Sequence, residues 1–109
     1  MLSLDTLAAA LAQSMGIAPP HEAAPAAGIL TDYVRDSFAG EPADRVFMYN
    51  PDAIAAWLME KYPHFFTEVE ESAPLSVPFC TVMPSVTPVC FGTMYTGAQP
   101  EIHGIRSYT

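Results

Sequence analysis

Basic residues are scarce in this chain: four Lys and Arg stand against twelve Asp and Glu in 109 residues, a formal charge of −8. That scarcity argues against nucleic-acid binding, since no basic stripe exists to displace counterions from phosphates. Attraction to an anionic membrane surface is disfavoured for the same reason. An acidic patch can instead hold divalent cations. Cysteine is nearly absent. Cys80 and Cys90 fall in two separate predicted elements and form neither a CxxC pair nor a disulfide framework, so two buried reduced thiols are expected. No apolar run approaches the roughly 20 residues of a membrane helix. The opening stretch MLSLDTLAAALAQSMG lacks the basic n-region of a signal peptide, and a cytoplasmic location is the expectation. No internal repeat, HExxH motif or helical His pair is present to supply a dinuclear metal site.

What is present is apolar. Half the residues are hydrophobic, which argues against disorder across the chain, and the length suits at most one domain with a modest core. Leu4, Leu7, Leu11 and Met15 share one helical face, with Gly16 as a stop. IAPPHEAAPAAG then reads as an extended Pro/Ala linker. ILTDYVRDSFAG fits a second helix ending at Gly40. Both helices look like outer elements that pack against something larger.

From residue 45 the rhythm changes. RVFMY (45–49) suits a short buried strand. A helix is predicted from Asn50, as cap, to Pro63, burying Ile54, Trp57 and Leu58. A second strand is expected within LSVPFCTVM (75–83), with Pro78 marking an edge or bulge. Thr87 then suits a helix N-cap, Pro88 the first helical position, and Gly97 a left-handed C-terminal stop. IHGIRSYT reads as the possible start of another strand. Strand, helix, strand, helix is the pattern of α/β folds with a parallel sheet. Right-handed crossovers would bring the helix N-termini carrying Asp52 and Thr87 to one rim of the sheet. There a carboxylate can hold a metal, and a hydroxyl can attack phosphorus with helix amides and a metal stabilising the negative charge that develops. A cap and a first-turn acid are also what any ordinary helix favours.

A longer series of residues sharpens this reading. YNPDAIAAWL, followed by TVMPSVTPVCFGTMYTGAQPEIHGI, resembles the alkaline phosphatase superfamily, in particular its type I phosphodiesterase and nucleotide pyrophosphatase branch. In that group a metal-binding Asp follows the first strand. A Thr or Ser nucleophile comes later, then a helix ending in Thr-Gly, then a Pro-x-x-His-Gly turn. The corresponding residues here are Asp52, Thr87, Thr96-Gly97 and Pro100 to Gly104, and the resemblance covers residues 45–106. It implies an α/β fold with a partial parallel sheet and flanking helices, preceded by two N-terminal helices. On this basis residues 1–40 form a helical extension with its linker, and 41–109 the N-terminal part of the α/β domain.

The resemblance also implies roles. Thr87 would be the covalent nucleophile, and Asp52 with Thr87 would hold metal, usually zinc. Cys90 stands where relatives often have Asn. Tyr108 stands near an Asn that binds a phosphoryl oxygen in some relatives, so both are candidate substrate-binding residues. Asp52 lies in Asn-Pro-Asp-Ala, where the family commonly shows Asp-Gly. The family's other Asp and His ligands lie far downstream. Of the three histidines, His21 and His64 are expected to be exposed and His103 structural. The segment is therefore expected to be inactive alone, to hold no metal tightly, and to act on a phosphate ester only as part of a complete enzyme.

Two other readings are weighed beside it. One is a non-catalytic binding or oligomerisation module, self-associating through the N-terminal helices or an exposed sheet edge. The other, a cysteine enzyme using Cys90, has no His base placed for it. Trp57 and Phe65–Phe66 are expected in the core or on a docking surface. Met48, Met59, Met83 and Met94 are expected to fill gaps in the core. EVEESAP (68–74) reads as a solvated acidic loop that lacks the ligand spacing of an EF-hand.

Overall fold

The computed structural model describes residues 2–73 and 75–108. Along the chain run β1 (Leu2–Ser3), α1 (Leu7–Ser14), α2 (Gly28–Ser37), α3 (Ala56–Lys61), α4 (Thr67–Ser72), β2 (Phe79–Cys80), α5 (Thr87–Thr96) and α6 (Pro100–His103). Single 3-10 turns occupy Leu4–Thr6 and Pro63–Phe65. The content is mixed α/β, mostly helical, with a two-stranded parallel sheet. The chain divides into two units, residues 1–47 with 79–109, and residues 48–78.

The first unit is built around α1. Ala8, Ala9, Ala10 and Ala12 are all buried, and they spread around the helix rather than along one stripe. A helix apolar on all sides belongs inside a structure. Here α2 packs on α1, and α5 packs on both α1 and the 3-10 turn before it. The leucines that share the predicted apolar face, Leu4, Leu7 and Leu11, are half-buried. Alanines take the interior because the absence of long side chains lets the helix backbones approach. Val82, Val89, Ala27 and Ala98 complete the core. The Ser14 hydroxyl, also buried, donates back to the Ala10 carbonyl at 2.7 Å.

The segment between α1 and α2 carries no helix or strand, turns at His21–Glu22, where the Ala23 amide donates to the Pro20 carbonyl at 3.1 Å, and is tied down. The Ala24 amide donates to the Gly97 carbonyl at 2.8 Å, and the Ala27 amide to the Thr6 carbonyl at 3.1 Å. Gly97 accommodates this approach: a Cβ there would sit 2.6 Å from the Ala23 Cβ. Its φ of 73° is also one that L side chains rarely adopt.

In the second unit, α3, the 3-10 turn and α4 bury none of their residues. The Phe65 ring lies 4.2 Å from His64 and 6.2 Å from Tyr62, centroid to centroid, yet Phe65 remains exposed. Trp57 is exposed as well, so neither residue is in a core.

Several expectations are corrected. Residues 45–49 form no strand, and Phe47 and Tyr49 are almost fully exposed, at 88% and 89%. A short apolar run becomes a strand only when a neighbour supplies its ladder, and β2 pairs elsewhere. Its partner is β1, with Leu2 opposite Phe79 and Ser3 opposite Cys80. The predicted helix from Asn50 begins only at Ala56. Before it, Ala53 takes φ 61°, and its amide donates to Asp52 Oδ1 at 2.9 Å. That turn interrupts a helix at its first residues.

The acidic stretch expected as a loop is helical from Thr67 to Ser72; Pro74, its last residue, lies outside the described residues. Residues 105–108 form no strand, and Thr109 lies outside the description. Cys80 is exposed and Cys90 half-buried, both free, so the thiols are not the buried pair expected. Met83 is exposed, and Met48, Met59 and Met94 are half-buried rather than core residues. No helix of the described residues is long and apolar enough to cross a membrane.

Candidate functional site around the start of helix α5

The β2 strand leads through residues 81–86 into α5, and this link is braced by side-chain hydroxyls. Ser85 Oγ donates to the Val82 carbonyl at 3.0 Å, which leaves Thr81 as donor in the 2.9 Å contact between the two hydroxyls. The Val86 amide donates to the Pro84 carbonyl at 2.9 Å. Val86 is extended (φ −118°, ψ 154°) and holds the N-cap position, so Thr87 is the first helical residue and Pro88 the second. The helix therefore starts one residue earlier than the capping pattern predicts, with Val86 rather than Thr87 as the cap. A proline in the first turn costs nothing there, because the amide it lacks has no partner within the helix.

Thr87 is half-buried, and so is Cys90. Three residues apart, they lie on the same side of the first turn. Val89 between them is fully buried against the core. The amide of Cys90 donates to the Val86 carbonyl at 3.0 Å, closing the turn. The Thr87 hydroxyl therefore stands at the positive end of a ten-residue helix, where the dipole and first-turn amides favour a nearby anion.

The far end of α5 is closed as the sequence predicts. The Thr96 hydroxyl donates to the Gly92 carbonyl at 2.6 Å, and the Gly97 amide to the Thr93 carbonyl at 2.8 Å. The Pro-x-x-His-Gly stretch then forms α6, with Pro100 buried and Gly104 at φ 80°. Gln99 Nε2 donates to Asp5 Oδ2 at 2.8 Å, which fastens this corner to the turn before α1.

His103 is turned back onto α5. Its Nε2 lies 3.1 Å from Thr93 Oγ1, and its Nδ1 accepts the Ile105 amide at 3.0 Å. The imidazole lies across Gly92, where an added Cβ would meet Cε1 at 2.7 Å. Sequence reasoning named His103 as structural but missed Gly92 and Thr93 as its seat. The available signal was a glycine inside a helical run, which often marks close packing.

Of the other predicted site residues, Tyr108 is 74% exposed in the same unit as Thr87. Asp52 is exposed and belongs to the unit of residues 48–78, within the turn described above. Among the described residues no three or more His, Cys, Asp or Glu gather into a group able to hold a metal ion. A carboxylate and a hydroxyl oxygen suit a divalent cation in kind, but a zinc centre takes at least three protein ligands. Asp52 and Thr87 alone do not complete one. Comparison with known proteins returned no matching family model, curated protein or solved structure.

Proposed function

We propose that this chain is the nucleophile-bearing N-terminal portion of a metal-dependent phosphoesterase, which hydrolyses phosphodiesters or phosphomonoesters through Thr87. The observation that carries the reading is the position of Thr87: first residue of α5, half-buried, just beyond a parallel strand. In the proposed reaction Thr87 Oγ attacks phosphorus, the ester oxygen leaves, and water later cleaves the phosphorylated threonine. The start of α5 favours the phosphoryl oxygens, with Cys90 beside Thr87 on the same turn. Tyr108 contacts the substrate. Asp52 contributes a metal ligand, and the remaining donors come from outside these residues.

The test is to read the source DNA beyond the codon for Thr109 and to assay the protein it encodes. A frame that continues into Asp and His motifs gives an enzyme in which Thr87→Ala lowers kcat by roughly a thousandfold or more. Thr87→Ser, which keeps a hydroxyl, retains part of the activity. A stop codon at that point, or an active Thr87→Ala variant, refutes the proposal.

A second reading is favoured by the exposed aromatic side chains of residues 48–78, Tyr49, Trp57 and Phe65. In it the chain is a non-catalytic binding or oligomerisation module derived from the same fold. It predicts concentration-dependent self-association or partner capture that Thr87→Ala leaves unchanged and Trp57→Ala weakens.

A further inference from the structure

We infer that His103 is a positioning residue, a two-ended latch that ties the segment after α6 to helix α5. The Ile105 amide can only donate, so His103 Nδ1 must present its lone pair. In the neutral ring the proton then sits on Nε2 and is donated to Thr93 Oγ1, 3.1 Å away. Thr93 is fully buried, and its hydroxyl shares this contact with the ring. The ring reaches it because Gly92 offers no Cβ. One imidazole thus uses a donor and an acceptor on opposite edges, one for each piece of backbone it joins.

The consequence for the site rests on the phosphoesterase reading. α5 begins with Thr87, and the segment held through Ile105 leads to Tyr108, three residues on. The latch fixes the backbone that carries one candidate substrate contact against the helix that carries the candidate nucleophile. Neither nitrogen is available for metal or for proton transfer while the latch is closed, which separates His103 from the catalytic residues.

The deciding experiment is NMR on the ¹⁵N-labelled chain without substrate. It seeks the coupling across the hydrogen bond between the Ile105 amide and His103 Nδ1, and it measures Ile105 amide exchange. The coupling and a protected amide are expected. In His103→Ala, Ile105 exchange should rise about fivefold or more, as expected for one lost hydrogen bond. His103→Asn should keep Ile105 near its original rate, since an Asn side chain can accept the amide two residues on. His103→Gln should not, although its amide can still reach toward Thr93. An unprotected Ile105 amide with no coupling in the unsubstituted chain overturns the inference. So does a His103→Asn variant whose Ile105 exchanges as fast as in His103→Ala. If His103→Ala fails to fold, the coupling in the unsubstituted chain decides. None of these readings uses a substrate, so the phosphoesterase proposal can fail while the latch stands, and the reverse.

Discussion

Replacing Gly92 by alanine should destabilise this chain, against the usual rule for helices. Gly inside a helix ordinarily costs about 0.5–1 kcal/mol relative to Ala, through backbone entropy. At position 92 the new methyl would lie 2.7 Å from His103 Cε1 and 3.0 Å from both ring nitrogens. Packed carbon atoms prefer about 3.5–4.0 Å, so the ring has to leave. An imidazole is a movable group, and the sign of the effect depends on what holds it in place. Two hydrogen bonds do, one to Thr93 and one from the Ile105 amide. Losing the bond from the Ile105 amide removes about 1 kcal/mol, and leaving the buried Thr93 hydroxyl without its partner costs about 1–3 kcal/mol. Set against the helix gain, the net loss is about 1–3 kcal/mol.

Chemical denaturation followed by circular dichroism measures this directly, and a double-mutant cycle isolates its cause. With His103→Ala already in place, the clash is gone and Gly92→Ala should stabilise by about 0.5–1 kcal/mol. The substitution therefore changes sign with the residue at 103, a coupling of about 2–4 kcal/mol. A Gly92→Ala variant that is more stable than the parent in both backgrounds would refute the packing argument. It would also remove the seat on which the latch depends.

Three further outcomes follow from the same geometry. Gly97→Ala should cost about 1–3 kcal/mol, because it combines a positive φ with a methyl driven into Ala23; equilibrium unfolding measures the loss, and an unchanged midpoint would show that the Pro/Ala segment does not lie against α5. Asp5→Ala should cost about 1 kcal/mol by removing the acceptor of Gln99, and Gln99→Ala in that background should add little, as checked by a denaturation cycle. Trp57, the chain's single tryptophan, is 61% exposed, so its fluorescence should be red-shifted and freely quenched by acrylamide; a blue, protected emission in the isolated chain would contradict the open surface of residues 48–78.

Helix ends were legible where a single residue type decides them. Gly16, Gly40 and Gly97 each mark a predicted stop, and each has a positive φ. Pro88 sits in the first turn of α5, as expected. The strands were poorly legible because a two-residue strand has almost no pattern of its own. Leu2–Ser3 stands just before the residues read as helix, and only its pairing with Phe79–Cys80 makes it a strand. Periodicity singled out one face of α1 and read the helix as an outer element. It counts large apolar residues, whereas here close packing places alanines inside and leaves the leucines half-covered. The helix predicted from Asn50 was lost to an Asp side chain that bonds the next amide, a local competitor that composition undervalues.

The two halves of the candidate chemistry consequently stand on different ground. Thr87 opens a ten-residue helix that buries Val89, Gly92 and Thr93, is capped at Gly97, and is fastened by His103. Its surroundings hold their geometry by packing, so a ligand arriving there meets a prepared helix end. Asp52 sits in a unit of which no described residue is buried. Apolar burial is the main stabilising contribution to a fold, at about 25 cal/mol per Å², and that unit draws little of it from its own residues. Its exposed Ile54, Trp57, Phe65 and Val69 would gain that stabilisation on being covered. An Asp52 ligand position fixed well enough for catalysis therefore requires those side chains to be packed, and the enzyme reading demands that extra protein surface for folding as well as for metal ligands.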